Sequence, residues 1–188
     1  VGWFMVGIWL LFFVLLTQHR TRDWQSDGTL FASAVRVRGN SARVHYGLGR
    51  WQQQQGQYLE ALTSYQQALR IYPRYPDALH NQGAALLRLG RLPEALASYE
   101  AASRARPGHV QSLFAEGAVR EALGLAGATD VYLEVLRLRP QHVEAARGAA
   151  RCLVAAGDTT VARVVIQRAF ATTAQSEWQQ LFPGSGGG

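Results

Sequence analysis

Arginine and aromatic side chains fall at corresponding places in several predicted helices, and together they have the chemistry to bind an acidic peptide. An arginine fork binds a carboxylate through paired hydrogen bonds and also stacks on aromatic rings. We predict that these side chains line a groove for an extended peptide from a partner protein. The predicted groove residues are Arg43, Tyr46, Arg50, His80, Asn81, Arg88, Phe114, Arg147 and Arg151. The alternative is that they form ordinary solvated helix faces.

Catalytic and metal-binding motifs are not recognisable in this sequence. It has no phosphate-binding glycine loop, no HExxH motif and no nucleophile elbow. Cys152 is the only cysteine and is interpreted as a small buried apolar residue. His109 and His142 fall at equivalent turns about one repeat apart, too far to share an ion whose ligand bonds are about 2 Å long. We therefore predict no catalytic residue, metal site or cofactor in this segment, and we interpret both histidines as exposed turn residues.

Small residues, tyrosines and prolines return along the chain at a near-constant interval of 34 or 33 residues. The series are Gly49, Gly83 and Gly117; Ala61, Ala95 and Ala128; Tyr65, Tyr99 and Tyr132; and Pro73, Pro107 and Pro140. This period and internal order resemble the tetratricopeptide repeat (TPR), a helical hairpin that stacks on its neighbours. We therefore predict an all-α fold with a right-handed TPR solenoid. The apolar residues 1–16 at the start of the sequence add the prediction of an N-terminal transmembrane helix before it.

The physical role of each series follows from how two helices cross. Helices packed about 8–10 Å apart leave room only for glycine or alanine where their backbones come nearest. We place the glycine series on the first helix of each hairpin and the alanine series opposite it on the second, with the tyrosines filling the space between. The prolines end the second helix, because proline has no N–H group to donate.

The predicted domain boundaries follow from this register. They are a transmembrane helix at 1–18, an Arg-rich link and lone capping helix at 19–41, repeats at 42–75, 76–109 and 110–142, a degenerate fourth repeat at 143–176, and a short cap with a disordered tail at 177–188. The fourth repeat is degenerate because it has Ala150 at the crossing position and lacks the closing proline.

Residues 1–16 carry no charged or strongly polar side chain. Sixteen helical residues reach only about 24 Å, short of a hydrocarbon core of about 30 Å, so we expect that the first turn of a transmembrane helix lies before Val1. A signal peptide and a buried core helix are the rival interpretations. The basic residues that follow, Arg20 and Arg22, favour a cytoplasmic position for this end.

The positively charged residues are not clustered as they are in nucleic-acid-binding proteins. All 19 basic residues are arginine and the net charge is +6, but the arginines are scattered over many helices without a basic run. We therefore predict no nucleic-acid partner.

The groove can be compared with that of co-chaperone TPR domains, which grip a C-terminal carboxylate. The matching positions here are Tyr46, Arg50, Asn81, Gln111 and Ala115, and only Asn81 agrees with that pattern. We do not expect this clamp.

The junction between the apolar segment and the first repeat resembles a second family. The order apolar span, RTRDW, LFASAVRV and GNSARVHYGLG is similar to the transmembrane and tetratricopeptide-repeat-containing (TMTC) protein O-mannosyltransferases. Arg22, Trp24, Asn40, His45 and Tyr46 are among the matching residues, whereas Gly39 and Gly47 depart from the family pattern.

This resemblance implies an enzyme of the endoplasmic-reticulum membrane that transfers mannose from dolichyl-phosphate mannose to Ser or Thr. It implies a multi-span catalytic region in cis, and a lumenal repeat region that presents the acceptor protein. This lumenal position conflicts with the charge of Arg20 and Arg22, and we give the family pattern more weight. No catalytic residue can be carried over, since those residues lie in earlier spans and loops. The alternative is a non-enzymatic adaptor tethered to the lipid bilayer, which binds a peptide or partner protein in its groove.

Overall fold

The computed structural model describes residues 40–169 and, before them, Phe31, Ser33, Ala34 and Val37. Eight α-helices and no strand are present in this described part. They are α1 Ala42–Gln54, α2 Tyr58–Ile71, α3 Pro76–Arg88, α4 Leu92–Ala105, α5 Val110–Ala122, α6 Ala128–Leu138, α7 Val143–Ala155 and α8 Thr159–Ala169. The prediction of an all-α fold is therefore confirmed for these residues.

The predicted transmembrane helix, residues 1–18, lies outside the described residues, as does the predicted cap and tail at 177–188. Among the helices that the structure does describe, none combines the length and apolar character needed to cross a bilayer.

The chain divides into two compact units, one ending at Leu89 and the other beginning at Gly90. In the first unit α1 packs against α2, α2 packs against α3, and α1 also contacts α3. Its core contains Ala61, Tyr65 and Ala85, with Tyr46 packed against them. Because α1 and α3 touch each other directly, side chains of both helices meet on one surface.

The second unit repeats this order of contacts. Each helix from α4 to α8 packs against the next one along the chain, and α5 also contacts α7. Tyr132 and Val135 pack with Ala145 and Ala149 in one core cluster. Ala162 and Ile166 belong to a second cluster, which holds α8 against α7.

Proline and glycine lie at several of the helix ends. Pro76 begins α3 with Asp77 in its first turn, where a missing N–H group and an acidic side chain are both favourable. The second helices end at Ile71, Ala105 and Leu138, two residues before Pro73, Pro107 and Pro140. Gly56 joins α1 to α2 with a φ of 77°, a conformation that residues with a Cβ atom adopt only at a cost.

Two buried tyrosine rings of the second helices, Tyr65 and Tyr132, lie against glycine. A Cβ atom added to Gly49 would lie 2.7 Å from the Tyr65 ring and 3.2 Å from the carbonyl oxygen of Ala61. Tyr132 has glycine on two sides, because an added Cβ would lie 3.0 Å from its ring at Gly117 and 2.5 Å from it at Gly148. Tyr132 therefore fills the space between the first helix of its own hairpin and the first helix of the next.

Candidate interaction surface

Tyr46 is the centre of the surface that α1 and α3 form in the first unit. Asn81 on α3 donates a hydrogen bond from Nδ2 to the Tyr46 hydroxyl oxygen over 3.1 Å. The Tyr46 ring packs against Tyr65, with a centroid separation of 6.1 Å. Because Tyr46 accepts from Asn81, its own O–H group is left to donate to another acceptor.

Arg50 extends this surface by about one turn along α1. Its guanidinium carbon lies 5.9 Å from the centre of the Tyr46 ring, within the range of a cation–π contact. Arg50 is exposed whereas Tyr46 is half-buried. Burial raises the pKa of the Tyr46 hydroxyl, although Arg50 acts in the opposite direction. The tyrosine therefore stays neutral and able to donate, beside a cation that faces solvent.

Two further tyrosines continue the surface into the turn between α2 and α3. The Tyr75 ring lies 4.9 Å from that of Tyr46 and is tilted by 47° to it. Tyr72 lies 5.6 Å from Tyr75 with a tilt of 33°, and 51% of Tyr72 is exposed. Neither Tyr72 nor Tyr75 was among the predicted groove residues, because both lie in a turn to which the helical register assigns no face.

The other predicted groove residues of this unit are Arg43, His80 and Arg88. Arg43 is exposed near the start of α1, and His80 is half-buried beside Asn81 in the sequence. Arg88 lies over the ring of Tyr58, with 5.7 Å between the guanidinium carbon and the ring centre. Its aromatic contact is therefore with the start of α2 rather than with Tyr46.

The second unit holds its predicted residues in a different arrangement. Arg151 on α7 donates two hydrogen bonds to Glu121 on α5, over 2.7 and 2.9 Å. Tyr132 donates a third bond to the same carboxylate over 2.8 Å. The Arg151 guanidinium lowers the pKa of Glu121, with a smaller contribution from the Tyr132 hydroxyl. Arg151 already has a carboxylate partner within the chain.

Phe114 and Arg147 complete the predicted set. Phe114 is half-buried, with Tyr132 at a centroid distance of 6.0 Å and His142 at 4.9 Å. Arg147 is also half-buried on α7. The predicted residues thus come together as Tyr46, Arg50 and Asn81 in the first unit, and Phe114 belongs to an aromatic contact of its own in the second.

The interpretation of His109 and His142 as exposed turn residues is wrong. Both are the N-cap residues of helices, and His142 accepts a hydrogen bond at Nδ1 from the backbone N–H of Ala145 over 3.2 Å. Its side chain is only 20% exposed. Nδ1 of His109 is hydrogen-bonded to the hydroxyl of buried Ser112 over 2.6 Å. An acceptor side chain at the N-cap satisfies a backbone N–H that the helix leaves unpaired.

Cys152 is half-buried rather than fully buried, and burial raises the pKa of its thiol. It packs beside the cluster that contains Tyr132. Among the described residues no group of three or more His, Cys, Asp or Glu side chains is placed to hold a metal ion.

An ion-pair network between α4 and α5 was not predicted. Arg120 donates to Glu100 over 2.6 Å and to Glu116 over 3.1 Å. Glu116 is buried, with 10% of its side chain exposed. Glu116 has no acidic counterpart one period away, where Gln82 and Ala150 stand, so the repeat register gives no reason to pair it with Arg120.

Protein-family models match residues that form the helical hairpins described above. Models described as TPR repeat or tetratricopeptide repeat match residues 53–90, 76–109 and 113–181. The chain is a tetratricopeptide-repeat protein.

Curated relatives narrow the resemblance to the C-terminal region of the TMTC proteins. Protein O-mannosyl-transferase TMTC1 of Homo sapiens is 38% identical over 74 residues, covering 39% of this chain and 8% of the relative. Protein O-mannosyl-transferase TMTC3 of Mus musculus is 33% identical over 91 residues, covering 48% of this chain and 10% of the relative. The chain therefore spans about a tenth of the length of these curated relatives.

Solved structures share the fold over most of the chain. A crystal structure of MamA aligns with a TM-score of 0.74 at 14% identity, covering 82% of this chain and 91% of that one. YrrB, described as a TPR protein with an unusual peptide-binding site, aligns with a TM-score of 0.69 at 20% identity, covering 86% and 83% of the two chains. The first TPR of Spaghetti (RPAP3), bound to the HSP90 peptide SRMEEVD, aligns with a TM-score of 0.59 at 27% identity, covering 62% and 94%.

Proposed function

We propose that this chain is a protein-interaction scaffold whose TPR surface binds an extended acidic segment of a partner protein. The observation that carries the proposal is the cluster of Arg50, Tyr46 and Asn81 in the first unit. It offers a solvent-facing cation, a hydroxyl donor and an amide within one continuous surface. The RPAP3 domain, which is bound to an acidic peptide, supports this use of the fold.

Each group has a separate part in binding. Arg50 pairs with a carboxylate of the ligand, and the neighbouring ring restricts the orientation of the guanidinium. The Tyr46 O–H donates to a main-chain carbonyl, because Asn81 already donates to the hydroxyl oxygen. The amide oxygen of Asn81 accepts from a main-chain N–H of the ligand. Paired main-chain contacts of this kind favour an extended ligand.

The proposal continues to the whole protein. We place the chain in a TMTC-like O-mannosyltransferase of the endoplasmic-reticulum membrane, with residues 1–18 as a transmembrane helix and a right-handed lumenal solenoid after it. The repeats dock the acceptor protein, and the catalytic region in cis transfers mannose from dolichyl-phosphate mannose to Ser or Thr. The identity to the protein O-mannosyl-transferases TMTC1 and TMTC3 supports the relation to that class of enzyme.

Peptide binding tests the surface. Fluorescence anisotropy with a labelled acidic peptide and its glutamine-substituted counterpart measures the preference for carboxylates. We expect Arg50→Gln to reduce acidic-peptide affinity about three- to tenfold, since an exposed charge-assisted contact contributes about 1 kcal/mol. Arg70→Gln, an exposed arginine on α2, is the matched control and should leave the affinity unchanged. Equal effects of the two substitutions would place binding elsewhere.

Mannosyl transfer tests the proposal for the whole protein. In membranes that contain the full-length protein, we expect deletion of the repeats to reduce mannosylation of a protein acceptor more than that of a short Ser/Thr peptide. A short peptide needs only the catalytic region, whereas a protein acceptor also needs docking. Equal effects on both acceptors would contradict a docking role. Absence of transfer in the intact protein would favour the adaptor.

A further inference from the structure

Three aromatic side chains of the first unit form a continuous row that leads away from Arg50. The row passes from Arg50 to the Tyr46 ring over 5.9 Å, then to Tyr75 over 4.9 Å and to Tyr72 over 5.6 Å. Successive rings are tilted by 47° and 33°. Tilted rings form a ridged surface with shallow depressions between them, rather than one flat stack.

The far end of this row is open to solvent. Tyr72 is 51% exposed and lies just after α2, where its backbone has an extended conformation. Its N–H group donates to the carbonyl of Ala68 over 2.9 Å, which anchors the residue to the end of the helix. An exposed ring on an anchored backbone is a preorganised contact surface.

Tilted tyrosine rings suit a proline better than a flexible apolar side chain. Proline-rich segments bind aromatic-lined grooves in the polyproline II conformation, which is already extended before binding and therefore loses little entropy. The part of the ligand that lies at Arg50 should carry a carboxylate, because Arg50 is exposed and positively charged.

On the basis of the proposed function, we infer that the surface selects an extended peptide carrying both an acidic residue and a proline. The acidic side chain contacts Arg50, and the proline ring contacts the rings of Tyr75 and Tyr72. The distance from Arg50 to the Tyr46 ring is 5.9 Å and that from Tyr46 to Tyr75 is 4.9 Å. Because polyproline II advances about 3.1 Å per residue, the acidic residue and the proline of the ligand should be about two to four residues apart.

Fluorescence anisotropy on the 188-residue chain in detergent micelles tests the inference. The probe is a labelled Gly/Ser peptide with one glutamate and one proline three residues apart, made in both orders. Two further peptides replace the glutamate with glutamine or the proline with alanine. We expect the proline-to-alanine change to weaken binding about three- to tenfold, by analogy with aromatic contacts of about 1 kcal/mol.

Substitutions then assign each preference to its side chain. We expect Tyr72→Ala to abolish discrimination between proline and alanine while keeping that between glutamate and glutamine. Arg50→Gln should do the reverse, and Tyr72→Phe should behave as the wild type because the ring remains. Tyr58→Ala is the control, since the cation beside Tyr58 is Arg88.

The outcomes separate the two proposals. A wild-type chain that prefers glutamate but not proline would overturn the inference and leave the proposed function standing. Proline discrimination that survives Tyr72→Ala would also overturn it. Loss of the glutamate preference in the wild type would instead contradict the proposed function itself.

Discussion

Alanine substitution at the two glycines beside Tyr132 isolates the cost of crowding its ring. Gly117 on α5 and Gly148 on α7 are both buried and both lie inside helices. Glycine to alanine in a helix interior is worth about 1 kcal/mol of helix propensity at either position. Any difference between the variants therefore comes from packing.

The expected difference follows from the distances. A Cβ at Gly117 would lie 3.0 Å from the nearest ring atoms of Tyr132, whereas at Gly148 it would lie 2.5 and 2.6 Å from two of them. The ring cannot move aside easily, because Tyr132 is 1% exposed and its hydroxyl is bonded to Glu121. Overpacking costs about 1–3 kcal/mol. We expect Gly117→Ala to be nearly neutral and Gly148→Ala to lower the unfolding free energy by about 1–2 kcal/mol.

Urea unfolding followed by circular dichroism measures both variants against the wild type, and thermal unfolding should shift by about 2–4 °C per kcal/mol. Tyr132→Leu provides a check, because the smaller side chain should make Gly148→Ala less harmful than it is in the wild type. If Gly148→Ala is as stable as Gly117→Ala, the placement of the Tyr132 ring between the two helices is wrong.

Two further predictions concern charged groups of the second unit. Arg151 lowers the pKa of Glu121, so the pair stabilises the fold above the ordinary carboxyl pKa of about 4.3, and this contribution disappears as pH falls through the pKa of the folded state. The difference in unfolding free energy between wild type and Glu121→Gln, measured by urea unfolding, should therefore narrow below about pH 4. A difference that stays constant with pH would contradict the pair. Arg120→Leu removes the cation beside Glu116, whose side chain is 10% exposed, and should lower the unfolding free energy by about 3 kcal/mol in the same assay. Arg137→Leu at an exposed pair should lower it by less than about 1 kcal/mol. Equal losses in the two variants would refute the distinction between a buried and an exposed ion pair.

The repeat period predicts the helical fold because its signals are local. Pro76 and Asp77 start a helix through backbone geometry and charge that need no knowledge of the rest of the chain. Glycine and tyrosine recur because each hairpin meets the same packing demand. Gly148 is a different case: the register draws attention to Ala150 as the crossing position, whereas the glycine against Tyr132 lies two residues earlier.

The candidate surface is harder to predict, because its side chains come from a helix, a turn and the next helix. The register identifies Tyr46, Arg50 and Asn81 as residues of first helices. A repeat period does not predict a hydrogen bond between two particular side chains, such as that from Asn81 to Tyr46. Tyr72 and Tyr75 are missed because periodicity describes helix faces and these residues lie in a turn. His142 is misjudged for a related reason, since its N-cap hydrogen bond depends on local geometry.

Arg50 and Arg151 fall at predicted groove positions, yet they differ in what an acidic ligand would have to displace. A ligand carboxylate at Arg151 must compete with Glu121, which accepts two hydrogen bonds from that guanidinium and a third from Tyr132. Arg50 instead lies over an aromatic ring, and a carboxylate can bind its outer edge without breaking that contact. The same residue type at related positions therefore supports binding at Arg50 and internal stabilisation at Arg151, which is why the acidic ligand is assigned to the first unit.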